Sequence, residues 1–346
     1  MNNNKRKIRV LVVDDSIVFR ETLARQIAQD PLIEVVAKAS DPYMARDKIL
    51  EFEPDVMTLD VEMPRMSGIE FLKRLIPQYP IPVVVVSAVS QSVFDALNAG
   101  AVDFVTKPDP LGERGVEAFV SELIVKIKIA STAKVATQKG NAITASSNQG
   151  TGLVKQNSII AIGASTGGTE AIERVLKGFP VNMPGTVIVQ HMPPVFTALF
   201  AARLNNSCAV EVKEAKTGDL VLPGRVLIAP GDYHMRIKKA NNYYIVECFH
   251  GEKVNGHCPA VDILFHSVAE HVGKNAIGVI LTGMGNDGAS GLLALRKSGA
   301  ITLGQDERSS IVYGMPKVAF NIGAVQEQIS LDFISRKIYT LVGSRR

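Results

Sequence analysis

The stretch Ser158 to Glu170, SIIAIGASTGGTE, decides how this chain is read. Ser158 to Ile162 is mostly apolar, rich in isoleucine and free of breakers, which predicts a buried strand. Gly163-Ala164-Ser165-Thr166-Gly167-Gly168 follows, and then an amphipathic run, Thr169 to Lys177, that predicts a helix. Strand, tight glycine turn and helix together lift one serine out of the sheet edge. A small residue on either side of Ser165 allows strained dihedrals and close approach of a substrate. The string fits G-x-S-x-G, the nucleophile-elbow pattern. It fits a phosphate-binding turn at a helix N-terminus as well, or plain αβ packing. The remaining sequence has to choose among these.

At 346 residues two domains are expected, because single cores rarely grow past about 250–300 residues. Apolar content of 46% and charged content of 21% are those of a soluble globular protein. The three cysteines, Cys208, Cys248 and Cys258, are widely spaced and odd in number, so neither a disulfide framework nor a C-x-x-C metal knot follows. That favours a reducing compartment. The basic N-terminus MNNNKRKIRV leads into an apolar run, Val10 to Val13, that stops at Asp14-Asp15. The run is too short for a signal-peptide core or a membrane span. A cytoplasmic protein without membrane insertion is therefore expected.

Net charge is +4, unevenly placed. Residues 1–130 hold 16 basic and 19 acidic side chains, residues 131–156 three lysines and no acid, and residues 157–346 hold 19 basic and 15 acidic. This is far from the clustered basicity of a nucleic-acid surface, and no nucleic-acid partner is expected.

In residues 1–130 apolar runs alternate with amphipathic ones. Strands are predicted at Ile8–Val13, Glu34–Ala39, Asp55–Leu59, Val83–Ser87 and Val102–Thr106. Helices are predicted between and after them. Five βα units suit a flavodoxin-like, doubly wound parallel sheet with its site at the carboxyl ends of the strands. Asp14-Asp15, Asp60, Ser87 and Lys107-Pro108 fall at those ends. Singly, each has a plain explanation, such as a helix cap or a solvated loop charge. Together they put three carboxylates, a hydroxyl and an amine around one crevice. Such a group suits Mg²⁺, and Asp60 can then act as a nucleophile toward a phosphoryl group.

The pattern resembles response-regulator receiver domains over residues 7–125, carried by Asp14-Asp15, then Asp60-Val61-Glu62-Met63-Pro64, then Ser87, then Lys107-Pro108. The resemblance implies that Asp60 is the phospho-acceptor. It implies that Asp14, Asp15 and Asp60, with the Glu62 carbonyl, hold Mg²⁺. Ser87 and Phe104 correspond to the switch hydroxyl and switch aromatic, and Lys107 pairs with phosphoryl oxygens. Ser67 is a small departure, since many relatives carry aspartate there.

Residues 131–156, rich in Ser, Thr, Ala, Gly, Gln and Asn and without an aromatic, have linker composition. From residue 157 to 346 the βα alternation resumes. Strands are predicted at Ser158–Ile162, Gly185–Val189, Val210–Lys213, Arg225–Ala229, Ala276–Leu281 and Ala300–Leu303. A β-hairpin is predicted within Asp232–Phe249, around Ala240-Asn241-Asn242. The expectation is a second, Rossmann-like parallel sheet with an appended hairpin.

An activated serine needs a base in reach, and that base needs an orienting carboxylate. Of six histidines, His234, His250, His266 and His271 are expected in ordinary packing or surface roles. His257, in a turn after Asn255-Gly256, is a second-rank candidate. His191 ends the strand that follows Ser165, and consecutive strands are usually neighbours. The carboxylate is sought at another strand end. Thr282-Gly283-Met284-Gly285-Asn286-Asp287-Gly288 supplies Asp287, whose plain alternative is a helix N-cap. The order Ser, His, Asp differs from that of ordinary α/β-hydrolases. Backbone N–H groups of Thr166 and Met284 are the candidate oxyanion donors.

The strings IGASTGGTEAI, QHMP, HCPAVDILF, LTGMGNDGASGL and QDERSSIVYGMPKVA resemble the chemotaxis receptor methylesterases, the CheB family. A receiver joined to this domain by a linker is that family's architecture. The resemblance implies a phosphorylation-controlled serine hydrolase with the triad Ser165, His191 and Asp287, cofactor-free in its esterase half. It implies hydrolysis of glutamyl methyl esters, and deamidation of glutamines, on methyl-accepting chemoreceptors. A chemotaxis histidine kinase would be the phosphodonor. The unphosphorylated receiver would mask the catalytic face, and the protein would act as a monomer. Three other classes compete: a nucleotide-dependent enzyme using the turns at Gly163 and Gly283, a DNA-binding regulator, and a catalytically dead receptor-binding adaptor. No Walker lysine supports the first, and weak basicity argues against the second.

Overall fold

The computed structural model describes residues 6–88, 90–108, 115–135 and 158–344. The chain divides into two units, one within residues 1–141 and one within 142–346. Of the expected linker, residues 136–156 lie outside the described residues.

The first unit alternates strands and helices without interruption. It runs β1 (Ile8–Val13), α1 (Ile17–Ile27), β2 (Ile33–Ala39), α2 (Pro42–Phe52), β3 (Val56–Asp60), α3 (Gly68–Leu75), β4 (Val83–Ser87), α4 (Ser90–Asn98), β5 (Asp103–Thr106) and α5 (Val116–Ala130). The strands are parallel in the order β2-β1-β3-β4-β5. Every residue of β3 and β4 is buried, as a sheet covered on both faces requires. The order reverses between β1 and β3, so their carboxyl ends open a crevice.

Local caps fix the helix starts. Asp41 accepts from the N–H groups of Tyr43 and Met44 to begin α2. Ser67 accepts from Glu70 N–H to begin α3, so its hydroxyl serves as the cap at the position where the sequence departs from its relatives. Ser16 caps α1, which leaves Asp15 outside the capping role.

The second unit runs β6 (Ile159–Ala164), α6 (Gly168–Lys177), β7 (Gly185–Gln190), α7 (Phe196–Ser207), β8 (Glu211–Glu214), β9 (Arg225–Ile228), β10 (His234–Ala240), β11 (Tyr243–Phe249), α8 (Val261–His271), β12 (Ala276–Ile280), α9 (Ala289–Lys297), β13 (Ile301–Gln305), α10 (Met315–Asn321), β14 (Glu327–Ile329) and α11 (Leu331–Ser344). Seven strands form one parallel sheet, ordered β14-β13-β12-β6-β7-β9-β8. The chain leaves β6 toward β7 on one side and later returns to β12 on the other. The order therefore reverses between β6 and β12, with Ser165 just past one strand end and Asp287 in the loop beyond the other.

The strand β10 pairs antiparallel with β11 in a separate two-stranded ribbon whose turn is Asn241-Asn242, with Asn241 at φ 53°. The expected hairpin is thus present. Two elements were not expected from the sequence, β14 and α11. The strand is only three residues long and gives no periodic signal. The helix does carry one: its buried Leu331, Ile334 and Ile338 recur at helical spacing. Strand boundaries differ from the expectation by one or two residues, as at β6, which extends through Ala164. No helix among the described residues is long and apolar enough to cross a membrane.

Candidate active site

Parallel pairing brings the three candidate residues to one rim. In the β6–β7 ladder Ala164 lies opposite Gln190, and His191 N–H donates to Ala164 O at 3.1 Å. Ser165 and His191 are the next residue on each strand, so they leave the sheet side by side. On the other flank of β6, Ser165 N–H donates to Thr282 O at 3.0 Å, which ties the serine to the loop after β12.

The turn itself is tightly held. Gly168 N–H donates to Ser165 O at 2.7 Å, and Gln190 Nε2 donates to the same carbonyl at 2.9 Å. Gly167 sits at φ 75°, left-handed backbone that glycine adopts without strain. A Cβ on Gly283 would lie 2.7 Å from the Ser165 Cβ and collide with Met315 Sδ. Glycine at 283 is what lets the two loops meet around the serine.

His191 Nε2 lies 2.7 Å from Asp287 Oδ2. The Asp287 carboxylate also accepts from Val261 N–H at 2.6 Å, Asp262 N–H at 3.1 Å and Asn255 Nδ2 at 3.0 Å. Val261 and Asp262 are the first two residues of α8, whose N-terminus has no side-chain cap of its own. Asp287 is thus a cap, but of α8 rather than of the helix that it precedes, α9. Asp262 returns the favour by accepting from Gly291 N–H in α9 at 2.7 Å.

These donors set the charge. Burial alone would raise the Asp287 carboxyl, but His191, Asn255 and the Val261 N–H hold it down at about 2. The α8 N-terminus adds a favourable dipole. Asp262 goes the other way, pushed up by burial and by the Asp287 charge against the pull of Gly291 and Asn255. Since Asp287 is ionised at neutral pH and only accepts, a neutral His191 ring carries its proton on Nε2. Its Nδ1 is buried and has no hydrogen-bond partner, Ser165 Oγ included. The ring presents an unprotonated nitrogen on the side away from Asp287.

The oxyanion candidates differ in what surrounds them. Thr166 is buried, and its carbonyl accepts from Thr282 Oγ1 at 3.0 Å. Met284 is partly exposed, and its N–H donates to no acceptor among the described residues. Gly283 N–H is already engaged by Val312 O at 3.0 Å.

Among the other five histidines, His234, His257 and His266 have defined partners. His234 is buried, with Nε2 at 2.8 Å from Glu252 O and Nδ1 accepting from Ala260 N–H at 3.2 Å, a structural role as expected. His266 lies 3.3 Å from Ser290 Oγ. His257 stacks on His191. Sequence reasoning did not single out Asn255, Asp262 or Thr282. Each lies inside or beside a quoted motif, but its role depends on contacts from distant loops. All three cysteines are free thiols, and burial raises each of them, Cys248 to about 12. None is poised as a thiolate nucleophile at neutral pH.

In the first unit the crevice between β1 and β3 gathers the expected charges. Carboxylate oxygens of Asp14, Asp15 and Asp60 all lie within 4.8 Å of one another. Lys107 Nζ donates to Asp60 Oδ2 at 2.7 Å and to Asp14 Oδ2 at 2.9 Å. Glu62 N–H donates to Asp60 Oδ1 at 3.1 Å. Burial raises the Asp60 carboxyl, against Lys107, which lowers it. Burial lowers Lys107, but its two aspartate partners outweigh that and hold the ammonium charged. Three close oxygens with one lysine form a hard-oxygen donor set able to hold a small divalent cation. Ser87 and Phe104 are both buried, and Lys126 Nζ lies 4.9 Å above the Phe104 ring.

Fold and sites together define a two-unit α/β enzyme, a receiver followed by an esterase unit. The chain belongs to the CheB methylesterase family: residues 160–338 match that family and residues 10–113 match the response regulator receiver domain. A protein-glutamate methylesterase/protein-glutamine glutaminase of Syntrophomonas wolfei is 60% identical over 97% of this chain and 98% of the relative. One from Syntrophotalea carbinolica is 54% identical over 99% of both. The crystal structure of the Thermotoga maritima CheB methylesterase catalytic domain superposes with a TM-score of 0.53 at 37% identity, covering 54% of this chain and all of that one.

Proposed function

We propose that this chain hydrolyses glutamyl methyl esters on methyl-accepting chemoreceptors through Ser165, His191 and Asp287, and deamidates receptor glutamines at the same site. The activity is that of its family, protein-glutamate methylesterase and protein-glutamine glutaminase. The observation that carries the residue assignment is the register: Ser165 and His191 follow one ladder pair, and His191 bonds Asp287.

Ser165 Oγ attacks the γ-carbonyl of the ester while His191 Nδ1 takes its proton. Asp287 holds the tautomer and stabilises the imidazolium. The developing oxyanion is met by the N–H of Met284, and by that of Thr166, each such donor worth about 10²–10³ in rate. The intermediate collapses, and His191 returns its proton to the departing methoxide, which leaves as methanol. Water then attacks the acyl-serine, giving a proton to His191; as the acyl C–Oγ bond breaks, His191 returns that proton to Ser165 Oγ and glutamate is released. With glutamine as substrate, ammonia leaves in place of methanol.

Control enters at Asp60. Its carboxylate accepts a phosphoryl group from a chemotaxis histidine kinase, and Lys107 pairs with the new oxygens. Mg²⁺, when bound by Asp14, Asp15, Asp60 and the Glu62 carbonyl, neutralises phosphoryl charge. Ser87 and Phe104 respond to the phosphoryl group and raise the esterase rate. We place the protein in the cytoplasm, as a monomer, where its free thiols stay reduced.

The decisive test is methanol release from methylated receptor. Ser165→Ala should lose several orders of magnitude in kcat and keep receptor binding, and a serine-directed phosphonate should form its adduct on Ser165. A Ser165→Ala enzyme at near wild-type rate would end the assignment.

A further inference from the structure

Two side chains outside the triad reach it from a single turn. Val254 and His257 exchange both backbone hydrogen bonds, at 3.0 and 2.9 Å, and close a two-residue loop on Asn255 and Gly256. Asn255 sits at φ 52° and Gly256 at φ 83°. Positive φ at both central positions is the type I′ turn, for which Asn-Gly is the favoured pair. Such a turn is a rigid platform, since its backbone has few alternatives.

From this platform Asn255 Nδ2 donates both to Asp287 Oδ1 at 3.0 Å and to Asp262 Oδ2 at 2.9 Å. One amide therefore bridges two buried carboxylates and fixes the plane of each. The His257 ring lies flat on the His191 ring, with centroids 3.6 Å apart and planes 10° from parallel. His191 needs such a neighbour. Its hydrogen bond to Asp287 fixes one ring atom, and its Nδ1 has no partner. A ring held at one edge can still tilt about that contact. A flat partner at van der Waals distance removes the tilt.

We infer that the Val254–His257 turn is a positioning clamp for the reaction: His257 sets the plane of His191 by stacking, and Asn255 sets the carboxylate of Asp287. Neither residue makes or breaks a bond in the reaction; each acts through another side chain. Together they aim the His191 Nδ1 lone pair, and proton transfer is steep in that alignment, where a misplacement of about 1 Å can cost about 10²-fold. The clamp rests on reading Ser165, His191 and Asp287 as the triad.

The test uses the full-length chain, methylated receptor, and four variants: His257→Ala, His257→Phe, Asn255→Gly and Ser165→Ala. His257→Phe keeps a flat ring without the nitrogens. Asn255→Gly keeps the left-handed backbone without the amide. His257→Ala and Asn255→Gly should lower kcat by between about 10- and 100-fold with KM little changed. His257→Phe should recover most of the His257→Ala loss. In ¹⁵N-histidine-labelled protein, the His191 Nε2–H resonance should be sharp in the wild type and in His257→Phe. It should be broadened by exchange in His257→Ala. Wild-type kcat in His257→Ala, or a His257→Phe enzyme as slow as His257→Ala, overturns the clamp. If His257→Ala does not fold, the other two variants decide: a slow His257→Phe or a fast Asn255→Gly overturns it. Ser165→Ala separates the two ideas, because an active Ser165→Ala enzyme sinks the triad, whereas a dead one beside a fast His257→Ala sinks only the clamp.

Discussion

Asp287 carries a charge that burial opposes and four donors stabilise, so its protonation should be felt in the stability of the fold. Its carboxyl is held at about 2, below the ordinary 3.8. A depressed carboxyl contributes stability above its unfolded value and loses it as pH falls through the folded one. The window is thus from about pH 4 down to about pH 2, and the size is roughly 2 kcal/mol. Asp262, pushed up, opposes this in part: its protonated form is favoured in the fold, so it costs stability as pH rises past its ordinary range. Urea unfolding from pH 5 to pH 2 should show a loss in the wild type that is smaller in Asp287→Asn. Equal slopes in the two proteins would mean that the carboxylate is not held as described. The same variant should lose on the order of 10⁴ in kcat, because an amide at 287 can donate to His191 Nε2 and favour the wrong tautomer.

At the scale of elements, glycines and one strained valine shape the rim. The β12–α9 loop can approach β6 only because residue 283 lacks a Cβ, which would meet Ser165 Cβ at 2.7 Å. Gly283→Ala should therefore lower kcat by at least about 10²-fold, through displacement of the serine, and lower Tm as well. A Gly283→Ala enzyme with wild-type kcat would show that the two loops are not in close contact. Val195, between His191 and α7, has φ 72° and ψ −45° with its side chain largely exposed. A β-branched residue there is strained by about 1–3 kcal/mol, and glycine's own entropic cost is about 0.5–1 kcal/mol. Val195→Gly should then raise Tm by about 2–4 °C, read by calorimetry. A lower Tm would place the favourable contacts of the valine above its strain. In the first unit Gly68 has the matching role, since a Cβ there would collide with the Asp60 carbonyl, where α3 packs on the end of β3.

For the whole molecule, phosphorylation at Asp60 should raise the esterase rate, and Asp60→Asn should abolish that rise and keep the basal rate. Deleting residues 1–150 should raise the basal rate, and a fragment no faster than the full chain would exclude inhibition by the receiver. Both sheets were legible in the sequence because strands buried on both faces must be apolar for nearly their whole length, as residues 83–86 and Ile159–Ala164 are. The quoted glycine motifs, Asp14-Asp15 and Asp60 were legible for a related reason: strand ends at a switch point are where an α/β sheet puts polar side chains. Order and register were not, because pairing depends on which strands meet after the chain has turned back. The sequence alone thus determined most of the elements, β14 and α11 excepted, and the chemistry available at the strand ends. Only the tertiary structure decided that Asp287 caps α8, that Asn255 bridges it to Asp262, and that His257 lies flat on His191. Each of these arrangements depends on a contact between segments well separated in the chain, Asn255 with Asp287, Val261 with Asp287 and His257 with His191, and no local propensity encodes a contact whose partners meet only when the sheet has closed.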